Sequence, residues 1–430
     1  MIGKELIKTI ITDNQERPLP KIWERALEIP LNSGKIITLT GVRRSGKTYH
    51  LFSIIQKLLG RGINPQKILY LNFEDERLDI KTLKPDIILQ SYRELYPNLD
   101  LSQSYFLFDE IQELPHWDKF IIRIYNDISK NIYITGFNAT LLSKEIATAL
   151  RGRTITFEVF PLSFREFVKI KKPLLKQLAS SKNRALAVNL FEQFTLWGGF
   201  PEIITQKELL KSKILQEYFN VMLFKDLIER YQISQPAVLK YFCKRAVGNS
   251  GGEFSVNKLY KELKSQGYKI GKDTLYLYQN YIEAIYLVRF IPKYDQSIVK
   301  KELSLKKIYV IDQGLGTALD SKLGQDKGRL LETITALELT KSGEDISYSQ
   351  NHSECDFVIT QGGRITKAIQ VTCQYEDPKT KEREIKGLKQ TCEKFNLKKG
   401  TIITIDEEEK LKEGNIKIEV IPGWKYFLDL

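Results

Sequence analysis

The segment Gly41-Val42-Arg43-Arg44-Ser45-Gly46-Lys47-Thr48 limits this chain more than any other stretch of it. Its spacing, Gly-x4-Gly-Lys-Thr, falls between an apolar run at Lys35–Thr40 and a helical pattern at Tyr49–Leu59. Glycines so placed let the backbone wrap phosphate oxygens with its N–H groups, and the following helix directs its positive end at them. Gly41, Arg43, Arg44, Ser45 and Gly46 then line a phosphate cradle, Lys47 reaches the terminal phosphates and Thr48 holds magnesium. Three further runs, Ile68–Phe73, Tyr105–Phe108 and Asn131–Thr135, are short and almost wholly apolar, with helical stretches between them. That pattern predicts a parallel α/β sheet covered on both faces and running to about residue 160.

A phosphate loop needs an acidic partner. Phe108-Asp109-Glu110 supplies it: Asp109 would hold a magnesium-bound water, and Glu110 would polarise the attacking water. Thr135-Gly136-Phe137-Asn138 ends the next strand. The amide of Asn138 is placed to orient water against a γ-phosphate, unless it is only a turn residue. Arg151 and Arg153 follow in a basic stretch. Arg153 is the better candidate to neutralise transition-state charge, within its own chain or across a subunit interface. Glu74, after the second strand, is either a water-positioning carboxylate or a simple helix N-terminal one.

At 430 residues the chain has room for two or three domains, each with its own core. No run reaches the length of a membrane span, and the start lacks an apolar stretch with a cleavage site, so a cytoplasmic protein is expected. Four cysteines and three histidines are widely scattered, which speaks against a zinc site or a disulfide framework. Residues 1–160 sum to +3, residues 161–310 to +13 and residues 311–430 to −3. The entire excess of positive charge therefore sits in the middle, where a polyanion such as DNA would bind, although lysine-rich surfaces also serve solubility alone.

Residues 161–235 read as helical. Within 236–300, a capped helix at Ser255–Leu263, another at Lys272–Ile282 and an alternating strand at Ile285–Ile291 fit a winged helix-turn-helix. Lys258, Lys261, Lys264, Lys269 and Lys272 cluster there, interleaved with Tyr276, Tyr278 and Tyr281. The tyrosines lie at helical spacing, so some belong to a core. Residues 301–430 read as a helix at Gly328–Lys341, strands at Cys355–Ile359 and Lys367–Val371, a helix at Glu382–Phe395 and a strand at Gly400–Ile405.

In these segments the chain resembles the prokaryotic ATPases of the AAA-plus superfamily, common in archaea and bacteria, that carry an uncharacterised C-terminal domain. The resemblance rests on the phosphate loop with its double arginine, on Leu71–Asp75, Phe108–Gln112, Thr135–Asn138, Leu150–Arg153 and Phe160–Phe167. It continues through Gly198–Glu202, Phe224–Tyr231 and Tyr309–Leu315, nearly the whole chain. Phe137 and Ala139 depart from the small polar residues that the family more often has around the asparagine. The resemblance implies a P-loop NTPase core (1–160) that binds and hydrolyses ATP with Mg2+, a helical lid (161–235), a winged helix (236–300) and a restriction-endonuclease-like α/β module (301–430). Such modules gather a helix glutamate, a strand aspartate and a Glu/Gln-x-Lys around metal. Glu332, Asp356 and Gln370 fit, but Thr372 stands where the lysine belongs, with Lys386 or Lys389 as distant substitutes, so a degenerate site is expected. Asp356 beside Glu354 also reads as a solvated strand start. Three functions compete: a DNA-associated ATPase, a nucleotide switch that recruits a protein partner or a second copy of itself, and, disfavoured by Thr372, an ATP-dependent nuclease.

Overall fold

Strands β1 (Ile36–Thr40), β2 (Ile68–Asn72), β3 (Tyr105–Asp109) and β4 (Ile132–Thr135) form where the apolar runs lie, and β1, β3 and β4 are buried along their whole length. In this computed structural model, residues 3–136, 150, 152–172, 180–350 and 354–430 are described. They fall into two units, Met1–Val159 and Phe160–Leu430. The sheet of the first unit is parallel throughout, in the order β2-β3-β4-β1-β5. Its fifth strand, β5 (Thr154–Glu158), was not expected. It is a half-exposed edge strand without an apolar run, and it pairs with β1 from Ile36–Thr154 to Thr40–Glu158.

Side chains alternate across this sheet as strand geometry requires. Ile36, Leu69, Leu71, Phe106, Phe108 and Ile134 pack on one face, and Ile37, Leu39, Leu107 and Tyr133 on the other. The helix Lys4–Glu16 covers the first face with Ile7, Ile10 and Ile11, a stripe at three- and four-residue spacing. Because β4 separates β3 from β1, the C-terminal ends of three strands border one crevice.

The second unit begins with helices Phe164–Lys171, Ser181–Trp197, Pro201–Thr205 and Glu208–Val221. The last runs on as a π-helical segment, Met222–Glu229, so the helical stretch expected over 161–235 changes its winding there. Helices Pro236–Gly248, Val256–Ser265 and Lys272–Ala284 follow, with a three-stranded antiparallel sheet of β6 (Glu253–Phe254), β7 (Val288–Ile291) and β8 (Lys306–Val310) in the order β6-β8-β7. Since β8 lies past residue 300, this sheet crosses the boundary expected there. After it come the helix Lys327–Lys341 and a mixed six-stranded sheet. Its strands are β9 (Asp345–Gln350), β10 (Glu354–Gln361), β11 (Arg364–Val371), β12 (Lys399–Thr404), β13 (Glu409–Glu413) and β14 (Ile416–Pro422), in the order β13-β14-β12-β11-β10-β9. The sequence pattern gave no sign of β9, β13 and β14. Among the described residues, no helix is long and apolar enough to cross a membrane.

One buried contact joins distant parts of this unit. Gly198 ends the Ser181–Trp197 helix at φ 74°, and a Cβ there would lie 2.0 Å from Asp312 Oδ1. Asp312 is buried; its Oδ2 accepts from Gly199 N at 2.7 Å and its Oδ1 from Leu315 N at 3.0 Å. The motifs Gly198–Glu202 and Tyr309–Leu315 are thus two halves of one contact. A Gly198→Ala variant meets both a left-handed backbone penalty and an overlap with a carboxylate. The expected loss is about 2–4 kcal/mol, read as a lower urea midpoint with an unchanged slope.

Candidate nucleotide site and a second polar cluster

The loop leaving β1 is built around main-chain crowding. At Gly41, φ 145°, a Cβ would stand 2.2 Å from Val159 O, so a side chain has no room. Arg44 takes the left-handed region at φ 65°, and Lys47 opens the helix Lys47–Gly60. Lys47 is 5% exposed, and its ammonium donates to Gly41 O at 3.1 Å and Val42 O at 3.2 Å. The buried Ser45 hydroxyl has no hydrogen-bond partner. Arg25 Nη1 donates to Ser45 O at 3.1 Å, and Arg43 Nη1 pairs with Glu74 Oε1 at 3.3 Å. A buried ammonium, an unsatisfied hydroxyl and a helix N-terminus together suit a phosphate chain. Thr48, half-buried in the first helical turn, and Asp109 offer the hard oxygen donors that magnesium takes.

The end of β3 faces the same crevice. Asp109 is buried, accepting from Thr135 Oγ1 on Oδ1 and from the Tyr70 hydroxyl on Oδ2 at 3.2 Å. Burial, and then the Asp109 charge, push the Tyr70 hydroxyl far above its usual range, so it remains a donor. Glu110 turns the chain through the left-handed region at φ 50°, and its N–H donates to Thr135 Oγ1 at 2.9 Å. Its carboxylate accepts from Gln112 Nε2 at 2.6 Å. Burial raises the Glu110 carboxyl above the usual range; Lys47 pulls it back and Asp109 pushes it further up. A carboxylate with raised proton affinity beside a phosphate loop is suited to taking a proton from water.

The fold therefore brings together Gly41–Thr48, Asp109 and Glu110, with Glu74 reaching the loop through Arg43. Asn138 and Arg151 lie outside the described residues. Arg153 sits before β5, its carbonyl accepting from Ile36 N and its guanidinium 5.9 Å from the Tyr125 ring. That is the opposite end of β1 from the loop, about 15 Å along the strand at strand rise. Tyr70, Thr135, Arg25 and Gln112 are parts that the sequence reading left without a role. Only Thr135, polar at the end of an apolar strand, carries a local signal.

The second unit assembles Glu332, Asp356 and Gln370 around a residue that the sequence reading did not consider. Lys307, from β8, is 4% exposed and lies 3.0 Å from Glu332 Oε1, 3.2 Å from Asp356 Oδ1 and 2.9 Å from Glu354 Oε1. Neither Lys386 nor Lys389 fills this place: Lys386 is exposed to solvent and Lys389 faces Glu413 at 3.7 Å. Asp356 is buried rather than a solvated strand start. Its Oδ2 accepts from Val371 N at 3.0 Å, and Tyr309 OH donates to Glu332 Oε1 at 2.7 Å. Gln370 Oε1 accepts from Asp356 N at 3.3 Å while its Nε2 donates to Glu384 Oε2 at 2.6 Å. Three carboxylates share one ammonium, so burial first and then Glu332 push Asp356 up to about 7 against the pull of Lys307. The same carboxylates, outweighing burial, keep Lys307 charged.

In the basic segment, Lys258, Lys261, Lys264, Lys269 and Lys272 are all exposed. Tyr278 belongs to the core at 3% exposure, Tyr281 stacks on Tyr231 with centroids 3.7 Å apart, and Tyr276 faces solvent.

Comparison with known proteins agrees with this geometry. The family model described as an AAA domain matches residues 33–168, and a domain of unknown function (DUF8612) matches residues 188–327. Uncharacterized protein MJ1544 of Methanocaldococcus jannaschii is 36% identical over 100% of this chain and 96% of its own length. An uncharacterized protein of Haemophilus influenzae is 30% identical over 77% of this chain and 80% of its own. Among solved structures, AMPPCP-bound DnaA from Aquifex aeolicus is similar at a TM-score of 0.26 and 14% identity, over 66% of this chain and 89% of that one, a likeness too loose to carry an argument. A phosphate loop inside the AAA-domain match, and identity that extends over the full length, place this chain in one family of AAA-domain proteins with MJ1544.

Proposed function

We propose that this protein binds and hydrolyses ATP with magnesium and couples turnover to rearrangement of a DNA-binding second unit. The observation that carries the reading is the buried Lys47 ammonium on the loop after β1, with Asp109 and Glu110 at the end of β3 across the same crevice. Loop N–H groups and Lys47 hold the phosphates, and Glu110 takes the proton of the attacking water. Magnesium, held through Thr48 and Asp109, supplies charge neutralisation on the phosphates when bound. Asn138 is the amide that orients the water. Arg153, at the far end of β1 from the loop, acts on the site of a second copy.

The helix-strand-helix-helix-strand order over Pro236–Ile291, completed by β8 after the short helix Ile298–Leu303, supports a winged helix, and its exposed lysines support contact with a phosphate backbone. In the C-terminal module Lys307 already occupies the space among the carboxylates, which supports a recognition role rather than nuclease chemistry. The test is ATP turnover with and without double- and single-stranded DNA at two salt concentrations. Stimulation that fades with salt is expected. Turnover indifferent to DNA would reject the coupling. Lys258, Lys261 and Lys264 replaced together by Ala should weaken binding to every sequence alike and flatten the log–log salt slope by up to about 3. An unchanged slope would move DNA away from this helix.

A second reading, a nucleotide switch that recruits a protein partner, draws on the helix Ile298–Leu303. It exposes Ile298 at 79%, Val299 at 66% and Leu303 at 82%.

A further inference from the structure

The turn after Glu110 has an unusual shape. Glu110 is a non-glycine residue in the left-handed region, at φ 50° and ψ 49°. Its two neighbours on either side explain what that conformation achieves. The main chain of Glu110 is tied to β4, since its N–H donates to Thr135 Oγ1 while Thr135 in turn donates to Asp109. Beyond it the chain makes one 3-10 turn, Ile111–Glu113, closed by Glu113 N donating to Glu110 O at 3.1 Å. That turn carries the side chain of Gln112 back onto the Glu110 carboxylate.

A carboxylate oxygen can only accept, so the nitrogen of the Gln112 amide must be the atom facing it, at 2.6 Å from Oε2. The oxygen of the same amide is buried and has no hydrogen-bond partner. Buried polar atoms are almost always paired, and an unpaired one beside a reactive group asks for an explanation. A glutamine bonded at both ends of its amide would have no acceptor left for a further partner. This one fixes Glu110 with one end and keeps an acceptor ready at the other.

We propose that Gln112 is a positioning residue for hydrolysis, its amide nitrogen fixing Glu110 and its amide oxygen accepting a hydrogen from the attacking water. The inference rests on the ATPase reading above. Gln112 holds Oε2, which leaves Oε1 to the water. As the water oxygen bonds to the γ-phosphorus, its proton passes to Oε1 and the bond from phosphorus to the β,γ-bridging oxygen breaks, releasing ADP and phosphate. Gln112 itself gains and loses nothing. It acts by holding two reacting groups in register.

The test uses the full chain in five forms: wild type, Gln112→Met, Gln112→Asn, Glu110→Gln, and the double variant Gln112→Met/Glu110→Gln. Met keeps the volume and loses both polar atoms. Turnover, KM and affinity for a fluorescent ATP analogue are measured, with melting temperature as a check on folding. Gln112→Met should lower kcat by about 10–100-fold with KM and analogue affinity within about twofold, and Gln112→Asn should recover part of the loss. In the double variant the effects should fail to add, leaving turnover near that of Glu110→Gln alone, because Gln112 works through Glu110. Additive effects, or a loss that tracks weaker analogue binding or a lower melting temperature, would overturn the inference and leave Gln112 a structural residue. So would full activity in Gln112→Met while Glu110→Gln is inactive, with the ATPase reading intact. A wild-type protein without Glu110-dependent turnover would remove the ATPase reading, and this inference with it.

Discussion

On the proposed ATPase function, Glu110→Gln should lower ATP turnover by about 100- to 10,000-fold while the affinity for ATP stays the same or rises. The substitution keeps shape and burial but removes the group that can take a proton. Binding is expected to hold because the proposed phosphate ligands are the loop N–H groups and Lys47, and Lys47 loses a competing negative charge nearby. Asp109 keeps its partners, since Thr135 and Tyr70 do not depend on the Glu110 side chain. Equilibrium binding of a fluorescent ATP analogue beside steady-state phosphate release separates the two effects. Undiminished turnover in the variant would mean that water is activated by another group.

Lys307→Met is the second large effect, and it falls on stability. Removing the ammonium leaves Glu332, Asp356 and Glu354 facing one another, with Asp356 buried and Glu332 largely so. Breaking a buried ion cluster from one side costs about 3–5 kcal/mol, far above the worth of an exposed pair. The second unit should melt at lower temperature, and Asp356→Asn in the same background should recover part of the loss by removing one of the unpaired charges. A Lys307→Met protein as stable as wild type would show that the carboxylates are protonated or hydrated and need no ammonium.

The two sites differ in how far the sequence exposes them. The positions of Gly41–Thr48 and Asp109-Glu110, after β1 and at the end of β3, are legible because each is a pattern of residues at fixed spacing beside an apolar strand. Their supports are another matter. Tyr70, Arg25 and Gln112 are defined by what they touch, and nothing in their own neighbourhoods announces it. Lys307 is the sharpest instance: Thr372 stands where a lysine was sought, and the charge arrives instead from β8, a strand of a different sheet. The same limit explains the fold. Apolar interior strands declare themselves, whereas β5 is a half-exposed edge and β13 alternates only weakly between charged residues. Both are strands because a neighbour offers them a ladder.

The clasp of Asp312 on Gly199 spans 113 residues of chain, and its consequence is one of timing. At typical synthesis rates of about 5–20 residues per second, the end of the Ser181–Trp197 helix is made roughly 6–23 s before its partner exists. Throughout that interval the segment from Gly198 to Phe200, whose phenylalanine is fully buried in the finished molecule, can meet Leu162 and Tyr218 but lacks the carboxylate that holds Gly199 N. Nascent chains of this protein therefore pass through a stage in which the first unit can already be folded while the second, incompletely closed, waits for Asp312.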